Sequence, residues 1–181
     1  MNVDDAAELI RPAVTTRGGI WVDFGAGKGL FTRALAQLIG PGGTILAIDQ
    51  EARAVHALQT VSGHATGRSA AIVAVHGDFM AIDAIPELDG MRLKGAVFAN
   101  ALHFTSHPAD VLSEVAGLLD VDGRIIVVEY DRTSSNRWIP YPISLEHLVA
   151  TASAAGLNST KIVGRRPSAF GGTMYCAVLM F

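Results

Sequence analysis

Ile20-Trp21-Val22-Asp23-Phe24-Gly25-Ala26-Gly27-Lys28-Gly29 decides how this chain folds. Its first half is an apolar run of strand length that ends in an acid. Its second half places a glycine at every other position, which lets the backbone turn sharply and approach a ligand closely. Beyond it, Leu30, Phe31, Ala34, Leu35 and Leu38 recur at helical spacing. Gly40-Pro41-Gly42-Gly43 stops that helix. The unit is strand, glycine turn, helix.

The unit repeats along the chain. Residues 44–48 read as a second strand closed by Asp49, and 51–61 as a helix stopped by Ser62-Gly63. Residues 70–75 form a third strand, followed by His76-Gly77-Asp78-Phe79. A short helix and a turn at Asp89-Gly90 are expected between 80 and 94. Residues 95–99 make a fourth strand ending at Asn100, and 110–119 a helix with Val111, Leu112, Val115, Leu118 and Leu119 on one face. Asp122-Gly123 turns into a fifth strand at 124–130, and 131–143 is a polar loop containing prolines. Ser144 suits the N-cap of a helix to 155, which Gly156 ends. Residues 161–164 and 173–181 are the last strands. No helix separates them, so they are expected to pair antiparallel. Alternating strands and helices imply right-handed crossovers and a mostly parallel sheet. Ile125-Ile126-Val127-Val128 is apolar on both faces, as a sheet covered on both sides requires. The expected fold is α/β, a three-layer, doubly wound, Rossmann-like sheet.

A length of 181 residues fits one domain spanning 1–181, since domains run to roughly 100–200 residues. Half the residues are apolar and 17% are charged, which argues against disorder. A net charge of −3 exerts no global pull toward nucleic acid or an anionic membrane. The one cysteine, Cys176, excludes an internal disulfide and any cysteine-rich metal site, and fits a reducing, cytoplasmic setting. The first ten residues are acidic where a secretory signal would be basic. No apolar run approaches the roughly 20 residues of a membrane span. His56 and His64 lack a third partner at ligand spacing, so no metal site is expected.

Ligands bind open α/β sheets beyond the carboxyl ends of the strands, and acids cluster there. Asp49 lies twenty residues past Gly29, where a carboxylate can accept from both ribose hydroxyls of a nucleoside. Asp78 and Phe79 offer a carboxylate and a ring, which suit the edge and face of an amino-purine. Lys28 is followed by Gly29 rather than Ser or Thr, so the loop is not a phosphate-binding P-loop. Its G-x-G-x-G spacing also departs from the dinucleotide fingerprint G-x-G-x-x-G. Asp23, two residues before the first glycine, would repel a pyrophosphate but attract an ammonium and a sulfonium. The plainer roles are a tight turn for Asp23 and the glycines, a helix cap for Asp49, and a turn acid beside a core ring for Asp78-Phe79.

With DFGAGKG at 23–29, AID at 47–49, GDF at 77–79, ANALH at 99–103 and DGRIIVVEYD at 122–131, the chain resembles the class I S-adenosylmethionine-dependent methyltransferases. That resemblance implies seven strands in the order 3-2-1-4-5-7-6 with strand 7 antiparallel, and S-adenosylmethionine as cofactor. It implies that Gly25, Ala26 and Gly27 face the methionine part, with Asp23 near its ammonium. Asp49 would hold the ribose hydroxyls with Gln50 packed nearby. Asp78 would meet the adenine amino group and Phe79 its ring. Asn100 and Ala101 would contact the methionine end through backbone atoms. The subset it is most similar to is the small-molecule methyltransferases of the ubiquinone-biosynthesis type, with their Ala-Leu-His-His stretch. Here the stretch is Ala101-Leu102-His103-Phe104, so the second histidine is replaced. The cap segment before the first strand, 1–18, is short for that subset. This leaves the substrate pocket either open or closed by a second subunit in a homodimer.

Arg132 and Arg137 lie in the loop after strand 5, and Arg165 and Arg166 in the final hairpin. In this topology both emerge on the cofactor face, where guanidinium groups suit an anionic substrate. Trp138 and Tyr141, between prolines, are expected to wall the pocket. His103 and Tyr141 are the candidate general bases. The expected activity is in-line methyl transfer to a small, anionic molecule. A non-catalytic cofactor- or partner-binding protein and a nicotinamide-dependent oxidoreductase are the alternatives. Base-modifying methyltransferases carry [D/N]-P-P-[Y/F] after strand 4, where this chain has Asn100-Ala101-Leu102-His103, so a nucleic-acid substrate is not expected.

Overall fold

Strand β1 (Gly19–Phe24) pairs in parallel with β2 (Gly43–Asp49) on one side and β4 (Leu93–Ala99) on the other. The glycine loop therefore leaves from the middle of the sheet. The computed structural model describes residues 1–62, 67–168 and 172–181. Beyond β2 lies β3 (Ala71–His76), and beyond β4 lies β5 (Leu119–Tyr130), both parallel to their neighbours. β7 (Thr173–Met180) runs antiparallel to both β5 and β6 (Ser159–Pro167). The order is β3-β2-β1-β4-β5-β7-β6, as the sequence implied. It reverses between β1 and β4, and in open sheets the ligand crevice opens at that switch point.

Successive strand residues feed opposite layers. Trp21, Ile45, Val97, Ile126 and Val128 pack under α1 (Val3–Ile10) and α2 (Leu30–Ile39). Val22, Leu46, Phe98, Ile125 and Val127 pack under α4 (Pro108–Leu118) and α5 (Leu145–Ala154). α3 (Ala52–Ser62) lies against β2 and β3. This two-sided burial explains the unbroken apolar run of β5. Trp21 is fully buried, and its ring occupies the space that a side chain at Gly95 would take.

Several boundaries differ from the sequence reading. The segment 1–18 contains a true helix, α1, which the sequence reading did not foresee. Its start is fixed by a capping box in which Asn2 accepts from the Asp5 amide at 2.8 Å and Asp5 from the Asn2 amide at 3.0 Å. Residues 80–94 hold two short 3-10 turns, 82–84 and 86–88, rather than one helix. Pro86 opens the second of these turns, where its missing N–H costs nothing. β5 begins at Leu119 rather than at 124, because Leu119 pairs with Leu93 before a register shift. α4 begins at Pro108, two residues early, since proline suits the first helical turn. β6 is longer than 161–164. Ser144 does cap α5, accepting from the His147 amide. Gly63, expected to end α3, lies outside the described residues, as does His64.

Candidate functional site

The glycine loop is held down by β2. The Gly25 and Ala26 amides both donate to the Ile48 carbonyl, at 2.9 and 3.0 Å. Gly25 and Gly27 have φ of +68° and +56°, a region costly for residues with a Cβ. A Cβ on Gly25 would lie 2.7 Å from that of Ala101, so loop and β4 tip can meet only through glycine. A Cβ on Gly27 would meet nothing within 4 Å. Gly27 borders open space.

Asp49 ties this loop to its own strand end. Its Oδ2 accepts from the Gly27 amide at 2.7 Å and its Oδ1 from the Glu51 amide at 2.9 Å. The turn role and the cavity-facing role thus coexist in one carboxylate. The Gln50 carbonyl is bonded to His76 Nε2 at 2.9 Å. Asp23 is 1% exposed and receives the Thr32 hydroxyl at 2.6 Å. Burial pushes its carboxyl up to about 7, and the nearby Asp49 adds to the rise, against the lowering effect of Thr32.

These groups surround a cavity of about 520 Å³ at the switch point. It is lined by Asp23, Gly25, Ala26, Gly27, Asp49, Gln50, Phe79, Asn100 and Ala101, together with Met80 and Phe104, which the sequence reading did not single out. The Phe79 ring stands edge-on to Phe98, which stacks on Phe24, so it is braced from the core. Asp78 is not part of this lining. Its Oδ1 accepts from the Met80 amide at 2.9 Å and shapes the turn after β3. Asn100 has φ of +54°, the one left-handed residue other than glycine among the described residues. Asparagine tolerates that region, and such strain concentrates at functional sites. Its Oδ1 is buried with no hydrogen-bond partner.

Asn100 also borders a second cavity of about 490 Å³, lined by His103, Tyr130, Arg132, Asn136, Trp138 and Ile139. The loop that walls it is ordered by Asn136, whose side-chain oxygen accepts from the Trp138 and Ile139 amides. Arg137 stacks over the Trp138 ring at 4.3 Å. His103 is buried, and its Nδ1 lies 2.7 Å from Glu129 Oε2. Glu129 was not singled out from sequence. Its signal was an acid inside an otherwise apolar strand.

The four arginines do not converge. Of them only Arg132 lines the second cavity. Arg166 pairs with Asp5 of α1 at 3.6 Å, and Arg165, its neighbour on β6, is exposed. Tyr141 and His103 also part company. Tyr141 lines a third cavity with Phe104, Ser106 and His107, although its amide donates to the His103 carbonyl. Burial pushes the Cys176 thiol up to about 12, so it behaves as a small apolar side chain. Among the described residues no cluster of three or more His, Cys, Asp or Glu is placed to hold a metal, and no helix is long and apolar enough to cross a membrane.

With this crevice at the switch point of a 3-2-1-4-5-7-6 sheet, the chain belongs to the methyltransferase-domain family, whose pattern matches residues 22–127. That family uses S-adenosylmethionine. No curated protein matches the sequence. Among solved structures, the fold is similar to an arsenic(III) S-adenosylmethionine methyltransferase from Chlamydomonas reinhardtii, with a TM-score of 0.74 at 14% identity, over 98% of this chain and 71% of that one. It is similar to the YcgJ protein of Bacillus subtilis, with a TM-score of 0.70 at 13% identity, over 97% and 96% of the two chains. It is also similar to magnesium protoporphyrin IX methyltransferase from Synechocystis PCC 6803 with bound S-adenosylhomocysteine (SAH), with a TM-score of 0.70 at 17% identity, over 99% and 82%.

Proposed function

We propose that this protein moves a methyl group from S-adenosylmethionine to a small, anionic molecule by in-line displacement, across the partition between the two cavities that share Asn100. The observation that carries this reading is Asn100. It borders both cavities, holds a left-handed backbone, and keeps a buried side-chain oxygen without a hydrogen-bond partner.

The first cavity fits the cofactor. Asp23 offers a buried carboxylate to an ammonium. Asp49 retains lone pairs for ribose hydroxyls after its two backbone bonds. Phe79 offers a braced ring to a base. Asp78 serves there by setting the turn that places Phe79 and Met80. When bound, S-adenosylmethionine supplies an activated methyl group. The chain's own contribution is to fix donor and acceptor on opposite sides of that carbon and to exclude water, which is worth much of the barrier in such reactions. Arg132 gives the second cavity its positive charge and supports an anionic acceptor. Met80, Phe104, Trp138 and Tyr141 are exposed where they line the cavities, a surface that a second subunit would cover. A buried, unreactive thiol and no disulfide suit the cytoplasm.

Calorimetric titration with SAH and, separately, with NAD tests the cofactor reading. Saturable binding of SAH alone is expected. Binding of NAD alone would sink it. Turnover of S-adenosylmethionine to SAH in fractionated metabolite extracts separates an enzyme from a non-catalytic binder.

A further inference from the structure

We propose that two copies of this chain join through the free edge of β3, by antiparallel pairing across a two-fold axis at Val73. The inference concerns a surface outside the cavities and does not depend on the cofactor reading.

The sheet has two edges, and the sequence treats them differently. β6, at one end of the strand order, carries Lys161, Arg165, Arg166 and Pro167, with a register shift between Ile162 and Gly164. Charge, proline and irregularity are the devices that keep an edge from pairing with another chain. β3, at the other end, runs Ala71-Ile72-Val73-Ala74-Val75 and carries none of them. Among the described residues β2 is the one strand it pairs with. A single bond shows which of its backbone groups are free. The Gly77 amide donates to the Asp49 carbonyl of β2 at 3.1 Å. Backbone groups alternate sides along a strand, so those of Val75, Val73 and Ala71 also turn to β2, and those of Ile72 and Ala74 turn outward.

The sheet face beside this edge is bare as well. Val73 is 43% exposed, and Ala71 is exposed with it. The chain returns from β3 to β4 through two short 3-10 turns, not a helix. Ile82 and Ile85 of that connection join Val75 in the core, and the start of the strand stays uncovered. Unpaired backbone groups beside exposed apolar side chains make a template for another strand.

The occupant is a second copy because the edge is complementary to itself. In a two-fold antiparallel pair centred on Val73, Ile72 exchanges both backbone bonds with the partner's Ala74, and Ala74 with the partner's Ile72. The two Val73 side chains meet at the closer, non-hydrogen-bonded position. Arg68 and Asp78 stand equally far before and after Val73, so each Arg68 comes opposite the partner's Asp78. Arg68 is exposed and, among the described residues, takes part in no ion pair. Asp78 has given Oδ1 to the Met80 amide and keeps Oδ2. A contact of this symmetry closes on itself, which gives a dimer and not a filament. Antiparallel pairing sends the two sets of strand tips in opposite directions, so the two cofactor crevices lie at opposite ends and neither is closed by this contact.

Sedimentation velocity of the full chain from low to high micromolar, with amide hydrogen exchange at both ends of that range, tests the proposal. A monomer–dimer equilibrium is expected, with exchange at Ile72 and Ala74 slowing as the dimer forms. Val73→Lys sets like charges across the axis and should raise the dissociation constant roughly tenfold or more. Ala74→Pro removes an outward donor that β2 does not use, at the kind of edge position that accepts proline. It should raise the constant about 10- to 100-fold. Arg68→Glu should raise it about fivefold, a difference that fades at high salt. Circular dichroism and thermal melts verify the fold of each variant, and the exchange measurement on the wild type needs none of them. A wild-type monomer throughout the range overturns the proposal. So does a dimer in which Ile72 and Ala74 exchange as fast as in the monomer, or one that folded Val73→Lys and Ala74→Pro leave as tight as before. Slow exchange at those amides in a species that sediments as a monomer would mean a different occupant and overturns it too.

Discussion

The Gly27 amide donates to the Asp49 carboxylate across 2.7 Å, joining the glycine loop after the first strand to the tip of the second. A residue that holds this loop thereby also lines the first cavity, where the proposed function gives it the ribose hydroxyls. Asp49→Ala removes both functions. Hydrogen bonds to a charged group are worth roughly 1.5–3 kcal/mol, so SAH affinity is expected to fall about 10- to 100-fold. The partly exposed Gly27 amide can turn to water, so the far-ultraviolet circular dichroism spectrum should be unchanged. Calorimetry on a variant of verified fold checks this. Wild-type affinity would show that Asp49 only caps a turn.

Gly25 and Gly27 share a left-handed backbone but face different surroundings, so alanine should separate their effects. At Gly25 the new Cβ meets Ala101 at 2.7 Å. Backbone strain and overlap together are expected to cost roughly 1–3 kcal/mol, lowering Tm by several degrees. At Gly27 the Cβ enters open space. Gly27→Ala should therefore lose less stability, and most of its effect should appear as weaker SAH binding. Thermal melts and titrations of both variants, side by side, test the contrast.

Much of this was legible in the sequence because it depends on local pattern. Strand and helix periods fixed the alternation, and Asp23, Asp49 and the glycines stand where that alternation puts strand tips. The Asp78 carboxylate was misplaced because its direction depends on how the turn to Met80 closes, which no period encodes. Glu129 and His103 are 26 residues apart, and they meet only because β4 and β5 are adjacent. The four arginines looked like one cluster because the two loops share a sheet edge. Arg166 is instead taken up by Asp5 of α1, a long-range pairing that no local pattern encodes.

That division predicts two different arginine phenotypes. Arg132→Gln should weaken binding of an anionic probe such as benzoate to the SAH complex by about tenfold, as expected for a lost charged hydrogen bond. Arg166→Gln should leave that affinity unchanged. Its exposed pair with Asp5 contributes little to stability, so its Tm should also stay close to wild type. Equal losses from the two substitutions would restore the picture of converging guanidinium groups.

Asp23 makes cofactor affinity and stability respond to pH in opposite directions. Its folded-state carboxyl titrates at about 7, above its ordinary 3.8, because burial disfavours the charge. A cationic ammonium beside it favours the ionised form. SAH affinity should therefore rise as pH rises through about 7, with a proton released on binding below that point. Stability of the free protein runs the other way. Between its ordinary value and about 7 the folded state holds a proton that the unfolded state has lost. The Asp23 contribution is thus fully present below pH 3.8 and is lost as pH climbs to about 7. Asp23→Asn removes the buried charge. It should raise the Tm of the ligand-free protein relative to wild type at alkaline pH, with a smaller gap at pH about 5, where wild-type Asp23 is already neutral. It should also weaken SAH binding most at alkaline pH. Melting curves and titrations across this range decide the matter, because a Tm gap and an affinity that ignore pH would mean that Asp23 stays ionised throughout.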